Sequence, residues 1–130
     1  MSFKIITIDG PTGVGKSTIA RQLATKLDCL YVDTGAMFRC LAWSWTTQGC
    51  PESDESLEKL GDQTRIVFEN EKVICDYTDV TQEIRTERIS AKASKISGFP
   101  LIREVMKKQQ RALVEEVRRS ESYRGAVLEG

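Results

Sequence analysis

The chain has 130 residues, of which 40% are hydrophobic, and its 19 Lys plus Arg balance 19 Asp plus Glu to a formal net charge of zero. That suffices for a single domain with a core, and without a basic surplus neither nucleic acid nor an anionic membrane is an expected partner. There is no histidine, which excludes histidine general bases, Ser-His-Asp hydrolysis and His-containing zinc sites.

The first element is an apolar run over residues 3–8, read as a strand, and the stretch that follows carries the chemistry. Gly10, Gly15, Lys16 and Ser17 fall on the G-x-x-x-x-G-K-[ST] spacing, and Ile19, Leu23 and Leu27 behind them have helical spacing. Strand, glycine-rich loop and helix in that order are the context a phosphate-binding loop requires. Glycines at 10, 13 and 15 let backbone N–H groups turn inward around phosphate oxygens, and the helix directs its positive end at the same anion. The ATP-binding stretch is therefore expected to be Gly10, Pro11, Thr12, Gly13, Val14, Gly15, Lys16, Ser17 and Thr18. Lys16 would reach the outer phosphates, Ser17 would hold a Mg²⁺ ion bridging two of them, and Thr18 would bond a phosphate nearer the nucleoside.

Residues 29–33 read as a second short buried strand, so the fold class is α/β with a parallel crossover. Thr34 and Gly35 should cap the next helix on the sheet edge that also holds the phosphate loop. That helix, over about 36–48, carries Met37, Leu41 and Trp45 at i, i+4 and i+8, a core stripe in preference to a base-stacking platform. Arg39 lies one turn in, on another face; from spacing alone it is either a solvated arginine or one turned to the phosphate edge. Residues 53–61 form a short amphipathic helix on Leu57 and Leu60. Two β-rich runs, 65–69 and 72–77, make a hairpin around Asn70-Glu71, which places a small inserted subdomain at about 64–97 within the 1–130 domain. A helix with Ile89, Ala93 and Ile96 inward ends at Gly98 and Pro100. The longest helix then runs from 101 to about 120 on Ile102, Val105, Met106, Leu113 and Val117, and Ala126-Val127-Leu128 begins another buried strand. The four cysteines form no C-x-x-C pair and read as buried or half-buried free thiols. No run of about 18 apolar residues or signal-like segment is present, so a soluble, cytoplasmic protein is expected.

Four stretches together resemble the bacterial cytidylate kinases: the phosphate loop, Asp33-Thr34-Gly35-Ala36-Met37-Phe38-Arg39, Glu83-Ile84-Arg85-Thr86, and Phe99-Pro100-Leu101-Ile102-Arg103-Glu104 with Gln110-Arg111. The resemblance implies a P-loop NTPase-type parallel sheet flanked by helices, with the hairpin region as part of a CMP-binding insert. It implies ATP-dependent phosphorylation of CMP and dCMP to CDP and dCDP, with ATP, CMP or dCMP and Mg²⁺ as the partners, and a monomer when complete. Thr34 and Arg39 would sit at the acceptor, Arg39 holding the CMP phosphate, and Ser94 and Arg103 would contact the cytosine; Lys16 and Arg39 are the catalytic pair. Asp33 is expected to support Mg²⁺ or Lys16 from behind.

Members of that family continue beyond the position of Gly130 with an Arg-Asp pair, further core strands and an arginine-bearing lid over ATP. The chain is accordingly expected to be an N-terminal piece of such an enzyme, with the C-terminal part of the fold absent and catalysis belonging to the intact enzyme. In that fold the strand over 4–9 is central, and without the later strands one of its edges lies open and apolar. Two other readings remain at this point: a different small P-loop kinase, such as one similar to shikimate kinases, and a nucleotide-binding fragment without catalysis.

Overall fold

Short β-branched and apolar runs build a three-stranded parallel sheet from β1 (Lys4–Ile8), β2 (Cys29–Asp33) and β6 (Gly125–Glu129), in the order β1-β6-β2. The computed structural model describes residues 2–10, 15–69 and 71–130, and contacts divide the chain into two compact units, Met1–Gly35 with Ala112–Gly130, and Ala36–Arg111. In the first unit β6 accepts a neighbour on each side, with Lys4, Gly125 and Cys29 aligned at one end and Ile8, Glu129 and Asp33 at the other. β1 takes an edge of this sheet, with Ile5 59% exposed; the centre belongs to β6, because it alone pairs on both sides.

Helix α1 (Lys16–Leu27) packs on β2 and β6. The sequence periodicity rests on Ile19, Leu23 and Leu27, yet the residues turned inward are Ala20 and Ala24, while Ile19 is 56% exposed. Small side chains let the helix axis approach the sheet, and Ala20, Ala24, Cys29 and Val127 form a core that Ile6, Ile8 and Tyr31 border. The helix ends at Asp28, a left-handed C-cap with φ 56° whose N–H returns to the Ala24 and Thr25 carbonyls.

The second unit is mostly helical. Helix α2 (Thr34–Gln48) starts two residues earlier than its periodicity suggests, so Thr34 is its first residue and not a flanking cap. Met37, Leu41 and Trp45 are all buried, which makes the stripe core. The Trp45 indole N–H donates to the Cys50 carbonyl, and the Lys92 ammonium lies 4.4 Å from the ring centroid. Helix α3 (Asp54–Gln63) is capped by the Ser53 side chain, which accepts from the Ser56 N–H at 3.2 Å, and buries Leu57 and Leu60. Its Gly61 lies against Val105: a Cβ there would overlap the valine side chain. Because β-branched Val105 has little rotamer freedom to yield, Gly61→Ala is expected to lower the urea midpoint. Overpacking of about 1–3 kcal/mol outweighs the ~1 kcal/mol gained in helix propensity, and Val105→Ala in the same chain should recover part of the loss.

β3 (Ile66–Glu69) and β4 (Lys72–Cys75) form the expected hairpin; Asn70 in its turn lies outside the described residues. A third strand, β5 (Thr78–Asp79), adds to β4 through a turn in which Asp76 and Tyr77 both have positive φ, 48° and 68°. That strand has only two residues and its turn lacks the usual glycine, so no local pattern announces it. A 3₁₀ turn over Glu83–Arg85 leads to α4 (Glu87–Ile96), capped by Thr86, and α5 (Pro100–Ser120) follows. The inward residues of both helices are those the periodicity selects: Ile89, Ala93 and Ile96, then Ile102, Val105, Met106, Leu113 and Val117. Cys29, Cys40 and Cys75 are buried free thiols and Cys50 is half-buried. Among the described residues, no helix is long and apolar enough to cross a membrane.

Candidate nucleotide-phosphate site

The carboxyl edge of the parallel sheet is where the first unit gathers its polar side chains. β1 leads to Asp9 and Gly10, and α1 begins after Gly15, a left-handed N-cap at φ 78° that suits glycine. Gly15 provides no side-chain cap and the first turn of α1 has no acidic residue, so its amides and positive end are left to an anion. The Lys16 ammonium donates to the Gly10 carbonyl at 2.8 Å, tying together the two ends of the glycine-rich stretch. Ser17 and Thr18 are exposed on the first turn. Pro11, Thr12, Gly13 and Val14 lie outside the described residues.

Opposite the start of α1 stands a residue that the sequence reading passes over. Glu129, the last residue of β6, is only 6% exposed, and its Oε1 accepts from the Ser17 hydroxyl and from the Tyr31 hydroxyl, the latter at 3.2 Å. Its backbone carbonyl accepts from Thr34 Oγ1 at 3.0 Å, which fastens the start of α2 to the end of β6. A buried carboxylate is tolerated because these donors replace its water. Its signal in the sequence is slight: one acid ending an otherwise apolar strand.

Tyr31 is half-buried under the Arg21 guanidinium, 5.1 Å from the ring centroid. Burial, with the Asp33 carboxylate next and Glu129 after it, holds the phenol above its ordinary range, opposed in part by the polar Arg21 and Ser17 side chains, so it remains a donor at neutral pH. Asp33 ends β2 in register with Glu129 and is half-buried. Ser17 and Glu129 thus present a hydroxyl and a carboxylate within hydrogen-bond reach, the hard oxygen donors that Mg²⁺ takes when phosphates and waters complete its shell.

The remaining expected site residues belong to the second unit. Arg39 is half-buried on α2. Ser94 on α4 and Arg103 on α5 are exposed and linked through Ser97: Arg103 Nε donates to the Ser97 carbonyl at 3.0 Å, and Ser97 Oγ donates to the Ser94 carbonyl at 2.8 Å. The α4–α5 turn therefore anchors the Arg103 side chain at the Ser97 carbonyl, while the Ser94 backbone carbonyl accepts from Ser97.

A family model described as cytidylate kinase matches residues 6–122. Among curated proteins, the cytidylate kinase of Chloroherpeton thalassium is 44% identical over 97% of this chain and 52% of its own length, and that of Rhodopirellula baltica is 39% identical over 84% and 48%. A bifunctional pantoate ligase/cytidylate kinase from a Synechococcus species is 36% identical over 97% of this chain and 23% of its own length. The chain spans about half the length of the cytidylate kinases it matches.

Proposed function

The chain belongs to the cytidylate kinase family, and on that premise we propose that it serves the transfer of the γ-phosphoryl group of ATP to CMP and dCMP, giving CDP and dCDP. The observation that carries the reading is the meeting of Ser17 and Glu129 at the carboxyl edge of the sheet, beside a helix start that lacks any acidic residue. In this reading the 10–18 stretch wraps the ATP phosphates, and Lys16 leaves the Gly10 carbonyl to neutralise the outer ones. Ser17, with Glu129 behind it, would hold Mg²⁺, whose charge would help to neutralise the phosphates. Asp33 supports the same position from the neighbouring strand.

On the acceptor side, Arg39 binds the CMP phosphate, Thr34 lies at the acceptor, and Ser94 and Arg103 meet the cytosine. Two anions must approach in line, so the chemistry is positioning and charge neutralisation, with no protein nucleophile. A cytoplasmic monomer fits this role. A second reading is nucleotide binding without turnover.

Labelled ATP offered with CMP, dCMP, UMP or shikimate in turn tests the proposal. Label moving to CMP and dCMP in preference to the others is the expected result. Transfer to shikimate alone would overturn the acceptor assignment, and ATP binding with no transfer to any acceptor would favour the second reading.

A further inference from the structure

Resting on the ATP reading above, we propose that Tyr31 is a positioning residue for the divalent cation: it fixes the Glu129 carboxylate, and through it the direction in which Ser17 presents its oxygen. Glu129 Oε1 takes two hydrogen bonds from two different elements, one from Ser17 on α1 and one from Tyr31 on β2. A glutamate held by a single bond still turns about its side-chain torsions, whereas a second donor on the same oxygen leaves it one orientation. A serine hydroxyl has one proton and two lone pairs; once the proton is committed to a fixed carboxylate, the lone pairs have a fixed direction too. That is the state in which Ser17 can accept a cation without first reorganising.

The ring that carries the Tyr31 hydroxyl is itself held. It borders the core of Ala20, Ala24, Cys29 and Val127, and the Arg21 guanidinium lies over its face. Tyr31 also stands in register with Val127 of β6, two residues before Glu129 in the same strand. The hydroxyl therefore reaches the carboxylate from the rigid sheet and not from the glycine-rich stretch, so its support does not depend on how that stretch wraps a ligand.

Tyr31→Phe removes the hydroxyl and keeps the ring, its packing and the arginine stack. Binding of a fluorescent ATP analogue to the 130-residue chain, titrated with Mg²⁺ and repeated in EDTA, reads the effect without turnover. The expected result is a Mg²⁺ requirement raised about 3- to 10-fold, the range for losing one ordinary hydrogen bond, with binding in EDTA unchanged. In a Glu129→Gln background, Tyr31→Phe should add nothing further, because Tyr31 acts through Glu129. An unchanged Mg²⁺ requirement, an equal loss with and without Mg²⁺, or a full additional loss in the Glu129→Gln background would each overturn the proposal. A wild-type chain that is folded but binds no ATP analogue would overturn the ATP reading and this inference with it. Mg²⁺-dependent binding that Tyr31→Phe leaves intact would overturn this inference alone.

Discussion

Lys16→Ala is expected to reduce phosphoryl transfer by on the order of 10²–10³-fold, the range for losing one preorganised charge-stabilising donor at a reacting centre, while leaving the fold intact. Among the described residues, half-buried Lys16 donates to the carbonyl of exposed Gly10, an acceptor that water can satisfy after truncation. The loss should therefore appear in kcat/KM for Mg-ATP in ADP release with CMP, through weakened nucleotide binding as well as slower transfer, with an unchanged urea midpoint. Lys16→Arg keeps the charge but not the compact ammonium, and should recover only part of the rate. An alanine variant that turns over like the wild type would remove Lys16 from the mechanism.

Trp45→Ala is the largest effect expected on stability. The indole is 2% exposed, donates to the Cys50 carbonyl and carries the Lys92 ammonium on its face at 4.4 Å. Truncation removes burial, one hydrogen bond and one cation–π contact together, about 3–5 kcal/mol. Against a total stability of roughly 5–15 kcal/mol for a domain, that is a substantial part of the whole. Trp45→Phe keeps most of the burial and should lose less than half as much. Urea unfolding followed by far-UV circular dichroism measures both, and equal midpoints for Trp45→Ala and wild type would contradict the assignment of Trp45 to the core.

What was legible in the sequence was whatever repeats locally. The inward faces of α4 and α5 follow from 3.6-residue periodicity, and the β3–β4 hairpin from two β-rich runs joined by a polar pair. The G-x-x-x-x-G-K-S stretch stands out by residue spacing, and α1 begins at its Lys16, as the spacing behind it predicts. Glu129 escaped because its role depends on register: only when β6 inserts between β1 and β2 does the last residue of that strand face Ser17. Nothing within a few residues of Glu129 encodes that pairing. Tyr31 escaped for the same reason, as its partner lies 98 positions away.

The packing of α1 teaches the converse. Its leucine and isoleucine spacing identifies a helix but not the face that meets the sheet, because Ala20 and Ala24 allow closer approach than the larger residues would. β5 was hidden by brevity, and the early start of α2 by the Thr34 hydroxyl, whose bond to the Glu129 carbonyl begins the helix at the end of β2. In each case a contact distant in sequence overrode or refined a sound local reading.

Titration calorimetry of the chain with Mg-ATP, and separately with CMP, tests the central claim most directly, since it asks about binding before any question of turnover. The account predicts a saturable heat for Mg-ATP that Lys16→Ala abolishes and Arg39→Ala leaves unchanged, and a saturable heat for CMP with the opposite response to the two variants. A folded chain that binds neither nucleotide, or an ATP heat indifferent to Lys16→Ala, would contradict it.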